Sequence, residues 1–108
     1  MAHERTPAQK AYADVAPDFA ELSDRVLFGE VWERPGLSPR DRSLITVAAL
    51  IATYRHNELP GHVARALANG VTKNKLVETV IHLAFYAGWP TANTAIPVLR
   101  QAFADAGV

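Results

Sequence analysis

An all-α bundle is the fold this sequence predicts, and three observations predict it. After Pro17, apolar residues recur at the three- and four-residue spacing of a helix face in several separate stretches. Helix punctuation brackets those stretches, with Ser38 and Thr72 before two of them and Gly70 and Gly88 after two of them. No segment shows the sustained polar–apolar alternation of a half-buried strand.

Residues 1–16 are polar and Ala-rich, contain Pro7, and read as an arm or a short helix ahead of one domain spanning 17–108. Pro17 suits a first helical turn, and Phe19, Leu22, Val26, Leu27 and Val31 follow at helical spacing, with Gly29 expected to bend or split that helix. Pro35-Gly36 is a turn signal.

Ser38 then reads as an N-cap, with Pro39 first in the helix and Asp41 third, where a carboxylate complements the dipole. From Leu44 to Ala52 this helix, expected over 39–54, is apolar around nearly its whole circumference. One small domain can hardly wrap such a helix, so contact with a second subunit is expected. Asn57 is the expected cap of the next helix, 58–69, which tolerates Pro60 in its first turn and ends at Gly70. Thr72 caps a helix over 73–87 whose inner face is expected to use Leu76, Val77, Val80, Ile81 and Ala84. Pro90 opens the last helix, which runs to about Ala104, bent or interrupted at Pro97, with Ile96, Leu99 and Phe103 facing inward.

Composition narrows the function classes. Eleven basic residues balance eleven acidic ones, so nothing marks a nucleic-acid or anionic-membrane surface. The longest apolar run breaks at Arg55 and His56, short of a bilayer span, and the first residues lack the apolar core of a secretory signal. A cytoplasmic location is the expectation. The absence of cysteine removes disulfides, thiolate metal sites and thiol nucleophiles together.

Arg55, His56, Asn57, Glu58 and His62 form the densest group of reactive side chains. Glu58 and His62 stand four apart on one helix, and Arg55 joins their face if the two helices run nearly continuously across Asn57. A carboxylate beside an imidazole favours the imidazolium and orients the ring, as a general acid or base requires. A guanidinium alongside can hold a carboxylate bidentately. The same spacing also describes a surface ion pair and a capping arginine. Glu78 and His82 repeat the pattern, with Tyr86 one turn on; His82 reads equally as a buried histidine satisfied by Glu78 or Tyr86, or as a pocket residue. Two Glu/His pairs raise the question of a metal, but the diiron spacing and the His-Glu-x-x-His motif are both missing, so no metal is expected. Trp32, Tyr86 and Trp89 read as core or interface residues or as ligand walls, and Arg40 and Arg42 oppose a helix dipole, which Asp41 or a bound anion would offset. His3 and His56 have no recognisable partner, and no phosphate loop, nucleophile elbow or dinucleotide fingerprint occurs.

Several pieces together resemble the carboxymuconolactone decarboxylase family. They are Gly29 to Trp32 with Arg34 to Leu37, RSLITVAALIA, the Arg55, Glu58-Leu59 and His62 group, the NGVT turn, and FYAGWPTANTA. The resemblance implies an alkylhydroperoxidase-like helical subunit in a trimer or hexamer, with sites near subunit interfaces. Peroxidase members of that superfamily carry Cys-x-x-Cys-x-x-x-His. With the motif histidine on His62, the cysteines fall at Arg55 and Glu58 and an earlier carboxylate falls near Ser43, so thiol peroxidase chemistry is not expected.

Decarboxylase members resemble the chain at those positions, which implies cofactor-free loss of carbon dioxide from a small carboxylated lactone in aromatic catabolism. The roles implied are anion binding for Arg55 with Arg42, proton donation for His62 and orientation for Glu58. Tyr86, Trp89, His82 and Trp32 are the implied pocket lining. The alternatives are a non-catalytic helical oligomer that binds a small acid or a protein, and a related isomerase or hydrolase.

Overall fold

The computed structural model describes residues 4–108 and is all-helical among them. It divides into two compact units, one ending at Leu37 and one from Ser38 to Val108. His3 lies outside the described residues.

The first unit holds α1 (Pro7–Tyr12), α2 (Pro17–Leu22) and a π-helical segment, Ser23–Val31. Thr6 caps α1 through a reciprocal capping box with Gln9, and its hydroxyl also donates to Asp24 Oδ2 at 2.8 Å. The expected bend at Gly29 takes the form of π-helix, sealed by Trp32 N–H donating to the Leu27 carbonyl five residues back at 2.9 Å. A methyl group on Gly29 would stand 3.1 Å from the Asp24 carbonyl oxygen, so this winding favours a residue without a side chain. The apolar stripe from Phe19 to Val31 stays largely uncovered; Ala8 and Ala20 are the buried residues among those described in this unit.

The second unit contains α3 (Pro39–Ala52), α4 (Leu59–Ala68), α5 (Lys73–Tyr86) and α6 (Trp89–Ala106). Ser38 and Thr72 cap α3 and α5 as expected, accepting from the N–H groups of Asp41 and Lys75. Helix α3 packs on α4, α5 and α6, and α6 also packs on α4 and α5. Val47 and Ile51 of α3, Leu59, Val63 and Ala66 of α4, and Leu76 and Val80 of α5 meet Ala95, Leu99 and Phe103 of α6 in one core. Five alanines, Ala66, Ala84, Ala92, Ala95 and Ala102, are among the buried residues of this core.

Within the single subunit, helix α3 is buried along Ser43, Val47 and Ile51, while Ile45, Ala49 and Ala52 face outward, on the side where contact with a second subunit is expected. Several other expectations are corrected. Ile81 and Ile96 are likewise exposed, because the inner stripes of α5 and α6 are narrower than their sequences suggest. Helix α6 runs through Pro97 without a break, since the exposed side of a helix can lose one N–H bond and stay wound. Glu58, in place of Asn57, occupies the N-cap of α4, and its side chain makes no capping bond.

Ser43 is the one fully buried polar residue among those described, and its Oγ accepts from Asn69 Nδ2 at 2.9 Å. That bond ties the C-terminus of α4 to the first turns of α3. An Asn69→Ala variant is expected to lose about 1–2 kcal/mol, the usual consequence of stranding a buried hydroxyl. A denaturant midpoint lowered at constant slope checks this.

Candidate functional site

The α3–α4 junction is shaped by how α3 stops. Arg55 N–H donates to the Leu50 carbonyl at 2.8 Å, and Tyr54 N–H donates to Ile51 at 3.1 Å. This is a Schellman ending, whose left-handed position is ordinarily glycine. Here Tyr54 occupies it, at φ 62°. A tyrosine in that conformation costs about 1 kcal/mol or more. Its side chain is held at both ends, with the hydroxyl 3.2 Å from Thr94 Oγ1 of α6 and the ring edge-on to His56 at 4.2 Å between centroids. The helices are therefore not continuous across Asn57: residues 53–58 form a turn, and Arg55 does not share the α4 face.

Among the described residues, Arg55 and Glu58 are exposed and form no ion pair. His62 sits on the flank of α4 beside buried Val63 and is itself partly buried. Burial holds its pKa below the ordinary imidazole value, Arg65 three residues on pushes the same way, and Glu58 acts against both without prevailing. The expectation that Glu58 favours the imidazolium is thus reversed in the net: the free subunit favours neutral imidazole. His56 is partly buried, and both of its ring nitrogens are shielded from solvent with no hydrogen-bond partner among the described residues. Unsatisfied buried nitrogens are costly, and they give the junction donor and acceptor capacity for a polar ligand.

The remaining expected residues are dispersed. Arg42 lies in the first turn of α3, partly buried, with its Nε shielded from solvent. Trp32 belongs to the first unit and stacks on Phe28 at 5.9 Å. His82 is exposed, which corrects the buried alternative; it stacks on Tyr86 at 4.7 Å, one turn along α5. Tyr86 and Trp89 are exposed too, and Trp89 meets Phe85 edge-on at 6.1 Å. No three His, Asp or Glu side chains among the described residues are placed to share a metal ion. Sequence reasoning passed over Tyr54, whose signal was a helix end without glycine, and Arg65, which the three-residue spacing from His62 would have found.

The sequence model of the Carboxymuconolactone decarboxylase family matches residues 17–101. A 4-carboxymuconolactone decarboxylase of Acinetobacter baylyi is 42% identical over 95 residues, covering 88% of this chain and 71% of that protein. The chain belongs to the carboxymuconolactone decarboxylase family. The match spans both compact units and includes the whole α3–α4 junction. Two further relatives are more distant. Nitrosuccinic acid decarboxylase npaB of Metarhizium robertsii is 38% identical over 79% of this chain and 59% of its own length. An uncharacterized 15.0 kDa protein from the nqo9-nqo10 intergenic region of Paracoccus denitrificans is 29% identical over 72% of this chain and 60% of its own. No described helix of this family member is long and apolar enough to cross a membrane.

Proposed function

We propose that this chain is a cofactor-free carboxy-lyase acting on a small carboxylated acid, with 4-carboxymuconolactone as the first substrate to test. The carrying observation is His62, partly buried, with its pKa depressed, in a chain 42% identical to a 4-carboxymuconolactone decarboxylase. The two named relatives act on substrates with a shared chemistry. In each, the bond to a carboxylate can break with its electron pair delocalised into the substrate, as a dienolate through an unsaturated lactone or as a nitronate through a nitro group.

The protein then has three tasks: to bind anions, to shield the developing charge from water, and to return a proton to carbon. Arg55 holds a carboxylate and His56 offers hydrogen bonds at the same junction, while Arg42, at the opposite end of α3, serves as a second cation when supplied by another subunit of the assembly. The substrate's carbon–carboxylate bond breaks, carbon dioxide leaves, and the electron pair enters the conjugated system. The His62 imidazolium then gives its proton to carbon, and one proton is taken up from solvent. A depressed pKa makes that imidazolium a stronger acid, and a bound polyanion raises its population. Glu58 holds the ring through its field, and His82, Tyr86 and Trp89 line the substrate space in the assembled protein. The assembly is a homo-oligomer, a trimer or hexamer, working in the cytoplasm on intermediates of aromatic catabolism.

Mixing the purified protein with 4-carboxymuconolactone is expected to release carbon dioxide with loss of the lactone's absorbance. Nitrosuccinate is the second substrate, and turnover of nitrosuccinate alone would move the assignment to the nitronate chemistry. Turnover of neither would discard the lyase reading.

A further inference from the structure

The first turn of α5 lies beside the last turns of α6, with Lys73 Nζ 5.4 Å from the centre of the Phe103 ring. A cleft of about 400 Å³ opens there, within the size range of small-molecule sites. Leu99 and Phe103, both buried, and half-buried Val77 give it an apolar floor, and Ile96 adds to its apolar lining. Two charged side chains line it, Lys73 from α5 and Arg100 from α6, and both are basic. No carboxylate among the described residues lies within ion-pair distance of either. The one acid of α6, Asp105, accepts instead from Gln101 Nε2 at 2.8 Å.

We infer that this cleft binds a small organic acid whose carboxylate is carried on an apolar ring. The inference goes beyond the proposed function, because none of Arg55, His56, Glu58 and His62 lines the cleft and no reaction is assigned to it. Charge complementarity sets the ligand's head. Two basic groups at one cleft repel each other, and an anion shared between them offsets that repulsion. The Arg100 guanidinium offers a carboxylate two parallel hydrogen bonds, and the Lys73 ammonium offers a third.

The floor sets the ligand's body. A small hydrophilic anion such as phosphate would leave Val77, Leu99 and Phe103 without a partner, and an uncharged hydrocarbon would leave both cations without one. A flat ring against that floor removes apolar surface from water while its carboxylate meets the cations. Lys73 is held for the second task. An ammonium over an aromatic face is attracted to the ring quadrupole, so its charge stays at the cleft rather than ranging through solvent. Phe103 is itself fixed by the core, which gives that charge a rigid support.

Titration of the isotope-labelled protein with naphthoate at neutral pH and low salt, followed by NMR, tests the inference. Saturable shifts are expected at Val77, Leu99 and Phe103, with a dissociation constant of about 1 mM or tighter. Naphthamide, which keeps the ring and lacks the charge, is expected to bind at least about tenfold more weakly. The Lys73→Gln/Arg100→Gln double variant changes two exposed positions. It is expected to keep its helical circular dichroism and to weaken naphthoate binding at least about tenfold. Should the double variant fail to fold, Arg100→Gln is read alone, with a loss of at least about threefold expected. No saturation up to about 10 mM overturns the inference. So does equal binding of the amide, unchanged affinity in a folded variant, or a set of shifts confined to residues outside the cleft. No step reads turnover, so the outcome stands apart from the lyase reading.

Discussion

Replacing His62 by alanine is expected to lower turnover of 4-carboxymuconolactone by about 10²- to 10⁴-fold, the range over which a positioned acid or base acts. The helical signal and the melting midpoint are expected to remain, because His62 lies on the flank of α4 and the core residues there are Leu59, Val63 and Ala66. The pH dependence follows from the direction of its shift. Burial and Arg65 hold the His62 pKa below its ordinary value, so the donor form in the free enzyme is lost as pH rises through a point below about 6.5. Accordingly kcat/KM, which reports the free enzyme, is expected to fall above that point. By contrast kcat reports the complex, where a bound anion raises the pKa, and its fall is expected at higher pH. Equal midpoints for the two profiles, or turnover undiminished in the variant, would remove His62 from the mechanism. Stability carries the opposite sign. The fold favours neutral imidazole, so the contribution of His62 is present above the unfolded pKa and is lost as pH falls through the depressed one.

What the sequence revealed, and what it withheld, divides along physical lines. Caps formed by short polar side chains are local chemistry, so Ser38 and Thr72 could be assigned without coordinates. Spacing likewise identified Val47, Ile51, Leu76, Val80 and Leu99 as core positions. Burial of the remaining apolar positions depends on which neighbours exist. Ile45, Ile81 and Ile96 share the helical period and still face outward, because the stripe each helix buries is set by the other three helices of its unit. The π-helical winding of Ser23–Val31 has no periodicity signature in so short a span, and Gly29 marked only that something irregular occurs there. At the junction, Glu58 and His62 were legible as an i, i+4 pair. The sign of their coupling was not, since it turns on burial and on Arg65. Tyr54 was missed for the reason that makes it informative. A left-handed tyrosine runs against residue preference, so tertiary contacts to Thr94 and His56 must hold it, and no local rule anticipates them.

Truncating Leu59 to alanine is expected to produce the largest stability loss at the junction, about 2–5 kcal/mol. Leu59 is the first residue of α4, immediately after the exposed Glu58, and it is fully buried. Its side chain fixes the start of the helix that carries His62, so the core and the proposed chemistry meet at this residue. For a unit of this size each kcal/mol moves the midpoint by about 4–8 °C, and a fall of at least roughly 10 °C is expected. Ile45→Ala serves as the comparison on the exposed side of α3, where a change within about 0.5 kcal/mol is expected. The kinetic consequence separates frame from chemistry. Below its lowered transition Leu59→Ala keeps the Arg55, His56 and His62 side chains, and its turnover per folded molecule is expected to stay well above that of His62→Ala. Above that transition activity and helix signal should vanish together. If Leu59→Ala instead matched His62→Ala in lost turnover while still fully folded, the geometry at the start of α4 would itself be part of the catalytic apparatus. The proton donor would then have to be sought among groups that Leu59 positions directly.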